Sequence, residues 1–317
     1  MPFTHIPVLL HEVLAGLAIK ENGIYLDATF GRGGHSRCIL EKLGPNGHLY
    51  ALDRDLEAIE ASKSIVDDRF TIVHSRFSKL KSVCEDFGIV GKVDGILMDI
   101  GVSSPQLDDS ERGFSFDRDG PLDMRMDQSA KLDAQTIVNT YSQKDLAYIF
   151  KVYGEERFAS KVAAAIVRER QKQPFLRTMQ LSELIKKTIP GWSETKHKAT
   201  RCFQALRIAV NSELDELREA LDQCVDVLND DGRLCVISFH SLEDRIVKNF
   251  IKDKARGQEI PPAIPLTFEQ TEQLRLATAT MEPIGGAVKA GEAELLHNVR
   301  SRSATLRVCA RMKRLKT

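Results

Sequence analysis

The chain has 317 residues, 42% apolar and 28% charged, the proportions of an ordinary soluble globular protein, and its length allows one large domain or a core carrying an insertion. Its 45 basic and 45 acidic side chains cancel, which excludes a global attraction to nucleic acid and leaves only local basic runs to provide one. No run approaches membrane-spanning length and the amino end, Met-Pro-Phe-Thr-His, has no apolar signal segment, so a cytoplasmic protein without membrane attachment is expected.

Val8 to Ala18 reads as a leading helix. A strand over 24–28 follows, with Asp27 at its end, and Gly31, Gly33 and Gly34 then permit a sharp turn with close backbone approach to a ligand. His35 to Leu43 has helical spacing and stops at Gly44-Pro45. Strand, glycine turn and helix in that order open a nucleotide-cofactor fold. The next strand, 48–53, ends in Asp53, 20 positions after Gly33. An acid there accepts ribose hydroxyls of an adenine cofactor, or caps the helix that begins near Leu56, and both roles stand. Strands at 70–74 and 93–99 continue the alternation, the latter ending in Asp99, and predict a buried parallel sheet.

The turn spacing discriminates between cofactors. A dinucleotide turn places its third glycine where this chain has Ser36, and Asp27 would repel a pyrophosphate. S-adenosylmethionine has no phosphate and carries an ammonium group, which an acid near the turn suits better.

From about Ser104 to Lys198 no strand pattern occurs. Ser142 to Asp145 is a capping box before a helix that Gly154 ends, 155–171 is amphipathic, and a third helix runs over 179–189. Phe203, Leu206, Val210, Leu214, Leu217, Leu221, Val225 and Leu228 keep steps of three and four, predicting one long core-packed helix that Asp231-Gly232 ends. A fifth strand over 233–239, a helix over 243–253, a proline-rich loop from Ile260 to Leu266 and a last strand over 303–312 complete the chain. The expected division is a sheet domain of residues 1–103 and 202–317, with an inserted helical domain over 104–201.

Six scattered cysteines without a C-x-x-C pair predict buried free thiols and no zinc site. The carboxylates of His240-Ser-Leu-Glu243-Asp244 suit a helix start, the segment is equally a candidate for lining the active site, and no metal is expected there. Ser103 and Ser104 lack the frame of a hydrolase nucleophile. Basic clusters at Lys196, Lys198 and Arg201, and at Arg300, Arg302 and Arg307 within a run reaching Lys316, are candidate phosphate contacts.

Several long segments, taken in order, resemble the bacterial small-subunit (16S) ribosomal RNA cytosine-N4 methyltransferases. They are His5 to Leu10, Asp27 to Ser36, Asp99 to Asp108, Glu111 to Phe116, Gly120 to Asp127, His197 to Arg201, Ile237 to Arg245 and Arg302 to Arg307. The resemblance implies a class I, Rossmann-like, S-adenosylmethionine-dependent methyltransferase sheet with an inserted helical substrate-recognition domain. It implies methylation of the exocyclic nitrogen of a cytidine in the decoding region of 16S ribosomal RNA, within the small ribosomal subunit or its precursor. A homodimer is among the assemblies it allows. The cofactor positions it implies are Gly33, Gly34, His35, Asp53, Phe77, Asp99 and Gln106, with Phe77 either flanking an adenine or packing its loop.

The cytosine amino lone pair is delocalised into the ring, so an acceptor for the amino protons is the useful catalytic group, and Asp99 is the candidate. The proline-proline-aromatic signature of many DNA amino-methyltransferases is absent after Asp99, which disfavours a DNA enzyme. Phe114 and Phe116 are candidates for stacking on the base, or plain anchors of the inserted domain. The reading from a different class is an assembly factor without turnover, which the acid-terminated strands disfavour.

Overall fold

A computed structural model describes residues 7–191, 197–258 and 266–313. His5, Ile6, Lys196, residues 260–265 of the proline-rich loop, and Lys316 lie outside the described residues.

The chain begins with α1 (Leu10–Leu17), β1 (Ile24–Asp27), α2 (Gly34–Leu40), β2 (His48–Asp53), α3 (Leu56–Ser62), β3 (Phe70–His74), α4 (Leu80–Asp86) and β4 (Val93–Asp99). A run of helices follows: α5 (Ser104–Asp108), α6 (Ala134–Thr140), α7 (Gln143–Val152), α8 (Ala159–Arg170), α9 (Thr178–Thr188) and α10 (Thr200–Asn211). The remainder is α11 (Glu213–Val227), β5 (Leu228–Ser238), α12 (Ser241–Arg256), α13 (Phe268–Thr278), β6 (Met281–Pro283), α14 (Glu292–His297) and β7 (Thr305–Arg311). Two units result, a sheet unit up to Gly101 and from Leu214 onward, and a helical unit over Val102–Glu213.

In the sheet unit the strand order is 3-2-1-4-5-7-6, with β1 to β5 parallel. The parallel sheet expected of the first four strands is thus present, and β7, antiparallel to both β5 and β6, closes its far edge. Successive residues of a strand point to opposite faces. Ile96 and Met98 of β4 therefore enter one core with Leu52, Leu80, Leu217 and Val236. Leu97 enters the other, with Val13, Leu17, Tyr25, Ile237 and Leu306. Burial on both faces is why these strands read as continuous apolar runs. The order reverses between β1 and β4, which opens a crevice at their carboxyl ends.

The single helix expected over 203–228 is two. Ser212 adopts φ 52°, a left-handed conformation that no helix continues through, and α11 starts at the next residue. Phe203, Leu206 and Val210 pack in the helical-unit core, whereas Leu217 and Leu221 pack under the sheet. The second division of the chain consequently falls at 213/214, not at 201/202. β5 starts at Leu228, five residues before the expected strand, and its pairing to β4 shifts register between Val93 and Gly95. Asp231, at φ 63°, lies within that irregularity and ends no helix.

The segments Glu111 to Phe116 and Gly120 to Asp127 form one crossed loop of the helical unit. A Cβ at Gly120 would lie 1.8 Å from the Ser110 carbonyl oxygen, so only glycine permits the crossing. Arg112, 3% exposed, donates through Nη2 to the carbonyls of Arg125 and Met126. Asn211 holds the same loop from α10, accepting from Met126 N–H at 2.9 Å and donating to the Met124 carbonyl at 2.7 Å.

Candidate active site at the end of the sheet

The apolar run of β1 ends in Asp27, and the chain turns at once into α2. Gly33 occupies the N-cap of α2 with φ 76°, which a β-carbon disfavours. A Cβ there would also stand 2.7 Å from the Phe30 ring. The constraint at Gly33 thus comes from the turn's own packing. At Gly31, φ 57°, an added Cβ meets nothing nearer than the Thr29 carbonyl oxygen at 4.0 Å, so the open side of the turn is there. Gly34 backs onto Pro7, whose Cγ would lie 2.7 Å from an added Cβ.

Asp53 ends β2 with both carboxylate oxygens engaged by backbone. Oδ2 accepts from Gly31 N–H at 2.7 Å and Oδ1 from Asp55 N–H at 2.8 Å. The helix cap is Asp55, which accepts from Glu57 N–H, so the capping role considered for Asp53 belongs to its neighbour. A carboxylate offers roughly four lone-pair sites, which leaves Asp53 two for a ligand. Burial pushes its pKa up to about 6 against the opposing backbone hydrogen bonds.

Asp27 is 1% exposed and faces its own turn, accepting from Ser36 Oγ at 2.6 Å and Thr29 N–H at 3.1 Å. Burial raises its pKa, offset in part by these hydrogen bonds. Thr29 in turn accepts from Asp99 N–H through Oγ1 at 2.7 Å, joining the ends of β1 and β4. Neither Thr29 nor Ser36 stood out as a functional candidate in the sequence. The only available signal was a hydroxyl residue two positions after a strand-ending acid.

Asp99 lies at the carboxyl end of β4, beside the switch point. Its Oδ2 is 3.7 Å from Nδ1 of His35, and its Oδ1 is buried without a hydrogen-bond partner. Burial pushes the Asp99 pKa up to about 6, with His35 pulling it down and Asp27 and Glu243 pushing it up. His35, 7% exposed, reaches the Val8 carbonyl through Nε2 at 2.9 Å. A carbonyl only accepts, so Nε2 carries the hydrogen and Nδ1 faces Asp99. A buried acceptor left bare is costly unless something donates to it. The geometry therefore offers one bare carboxylate oxygen beside an open glycine turn, with a second anchored carboxylate across that turn.

Two further expected positions lie on other elements. Phe77 opens a short 3-10 turn after β3 and packs partly against the sheet core. Gln106 lies on α5 in the helical unit, where its Oε1 accepts from Ser103 N–H at 3.0 Å. Phe114 is buried in the helical-unit core, and Phe116 packs against it, its ring stacked on His197 at 4.8 Å and 8°. His240 and Glu243 cap α12, with Glu243 Oε2 accepting from the N–H groups of Phe239 and His240. Asp244 binds Arg307 in two-point fashion at 2.7 and 3.0 Å, so that arginine is engaged within the fold. Burial raises the thiols of Cys84 and Cys309 to about 12, and all six cysteines are free.

The doubly wound sheet and the acid-bearing strand ends around its switch point define an S-adenosylmethionine-dependent methyltransferase of Rossmann-like fold. The residues fit that cofactor, because Asp99 Oδ1 lacks the donor that an ammonium supplies and Asp53 retains acceptor sites for hydroxyls. Over residues 2–312 the sequence matches the model of the MraW methylase family, and the chain belongs to that family.

Similar solved structures include a putative rRNA-methylase from Clostridium thermocellum, at 11% identity and TM-score 0.44, covering 97% of this chain and 100% of that one. An rRNA methylase from Streptococcus thermophilus gives 10% and 0.43, covering 98% and 100%. A SAM-dependent O-methyltransferase from Thermotoga maritima gives 9% and 0.40, covering 97% and 66%. No helix among the described residues is long and apolar enough to cross a membrane.

Proposed function

We propose that this protein methylates the exocyclic N4 of a cytidine in the decoding region of 16S ribosomal RNA, in the cytoplasm, on the small ribosomal subunit or its precursor. The observation that carries the reading is the buried, bare Oδ1 of Asp99 beside the glycine turn, in a chain of the MraW methylase family. The cytidine, its N4 and its RNA come from the motifs shared with the cytosine-N4 enzymes.

When bound, the cofactor supplies a methyl group on a sulfonium, a leaving group good enough for direct displacement. Asp53 accepts the ribose hydroxyls, held in place by Gly31 N–H and Asp55 N–H. The turn that Gly33 and Gly34 shape is open to the ligand at Gly31, and the motifs shared with the cytosine-N4 enzymes assign Phe77 to the adenine and Gln106 to the cofactor. Asp99 is anchored by Thr29, and His35 beside its Oδ2 pulls its pKa down against the burial that raises it. Its bare Oδ1 accepts from an amino group, either the ammonium of the cofactor or the N4 amino group of the cytosine. An acceptor on N4 holds the amino protons in a geometry that frees the lone pair for attack. The base must leave its stack to reach such a site.

Incubation with methyl-labelled S-adenosylmethionine and, separately, DNA, deproteinised 16S RNA and small-subunit particles tests the reading, followed by mapping of the label. Label on cytosine N4 of 16S RNA is expected. Label on DNA, on another atom or on another RNA overturns it. Asp99→Asn divides the two roles of Asp99: weakened cofactor affinity assigns Oδ1 to the ammonium, and intact affinity with lost turnover assigns it to the cytosine.

A further inference from the structure

The α7–α8 hairpin of the helical unit carries a surface that no part of the site above uses. On α7, Lys144, Tyr148, Lys151 and Val152 are exposed and recur at steps of four, three and one, which places them on one face. Tyr148 is 58% exposed, and its ring meets Tyr153 edge-on at 6.2 Å. Where α7 turns into α8, Arg157 and Lys161 each lie 5.8 Å from the centre of the Phe158 ring. Among the described residues, Lys144, Lys151, Arg157 and Lys161 form no ion pair with a carboxylate. Asp145, next to Lys144 in the chain, accepts from the Ser142 hydroxyl at the start of α7.

Two members of the basic runs expected to hold phosphates donate within the fold. Lys198 donates to the Ile189 carbonyl at 2.7 Å and Arg201 to the Glu155 carbonyl at 3.1 Å, both within the helical unit.

We infer that the exposed face of α7 and its turn into α8 docks the RNA substrate, with phosphates on Lys144, Lys151, Arg157 and Lys161 and an unpaired base stacked on Tyr148. The inference rests on the proposed ribosomal RNA substrate. Unpaired cations interleaved with an exposed aromatic ring match single-stranded RNA, which brings one charge per nucleotide and a π-face on every base. Tyr148 and Val152 alone give too little apolar surface for a lipid bilayer.

The test uses the full chain and deproteinised 16S RNA in binding assays across a potassium chloride series, with cofactor affinity measured on every variant. Each phosphate contact on a single strand adds about 0.7 to the log–log salt slope, so K144A/K151A/K161A is expected to flatten it by about two units. Tyr148→Ala is expected to weaken binding roughly five- to 150-fold at fixed salt, and Tyr148→Phe to stay within about threefold, because the π-face remains. Unchanged cofactor affinity shows that the variants are folded. An unaltered slope, or equal losses for Tyr148→Ala and Tyr148→Phe, overturns the docking face. Intact RNA binding with lost binding to small-subunit particles also overturns it, by assigning the face to a ribosomal protein. If the wild-type chain itself shows no salt-dependent RNA binding and no labelling of RNA, the proposed substrate fails first, which is a distinct result.

Discussion

At the scale of single residues, the site stores an electrostatic cost that a ligand relieves. Asp53 and Asp99 both have pKa values raised to about 6 by burial. A raised carboxylate pKa means that the folded apo protein holds these protons more tightly than the unfolded chain does. Their contribution to stability is therefore fully present below about pH 4 and is lost as pH rises through 6. A ligand that donates to the ionised carboxylates reverses the preference and expels the protons. Cofactor affinity is then expected to climb between about pH 5 and 7, by up to tenfold per pH unit for each group below 6. Calorimetry in buffers of differing ionisation heat should detect proton release near pH 6, and a flat affinity profile from pH 5 to 7 would refute it. Thr29 gives a second test, since its hydroxyl is the acceptor for Asp99 N–H. Thr29→Val leaves that N–H without a partner, at about 1–3 kcal/mol in stability, and should weaken cofactor binding with it. Thr29→Ser restores the acceptor and is expected to recover both, whereas failure of serine to rescue would make the role one of packing.

At the scale of elements, the stripe from Phe203 to Leu228 shows what periodicity reveals and what it hides. Steps of three and four report that a helix has an apolar face. They do not report which core that face meets. The stripe runs unbroken across Ser212 although its halves pack in different cores. The local signal was the pair Asn211-Ser212 ahead of Glu213, residue types that favour helix ends. β2, β3 and β4 were legible to the residue, because each apolar run is closed by Asp53, by His74 or by Asp99. For the same reason the carboxylates at these strand ends were readable as candidates. The bond from Thr29 to Asp99 was not, because it joins residues 70 apart and depends on β1 lying beside β4. β6, three residues long, was too short for any period to register. Asn211 supplies the prediction at this scale. It is 2% exposed and pairs with Met126 N–H and the Met124 carbonyl, as a neighbouring strand would. Asn211→Ala leaves both backbone groups unmet, and a loss of roughly 2–4 kcal/mol in urea unfolding is expected. A change below about 0.5 kcal/mol would place Asn211 among ordinary surface positions.

At the scale of the whole molecule, zero net charge does not oppose a polyanionic partner. Counter-ion release depends on the cations that meet phosphates, not on the sum over the chain. What decides is which basic side chains the fold has already engaged. Arg307 is held by Asp244, Arg201 by the Glu155 carbonyl and Lys198 by the Ile189 carbonyl. A count of lysines and arginines along the sequence cannot separate these from free cations, because their carbonyl partners are set by tertiary packing. K198A/R201A is accordingly expected to act on stability first. Each loses a hydrogen bond from a charged donor, worth about 1.5–3 kcal/mol where buried and less here, where solvent competes. The expected result is a midpoint of thermal unfolding lowered by about 2–4 °C per kcal/mol, with the salt slope of RNA binding changed by less than about half a unit. Differential scanning calorimetry beside the salt series separates the two effects. An unmoved unfolding midpoint with a slope flattened by a full unit would return Lys198 and Arg201 to the RNA.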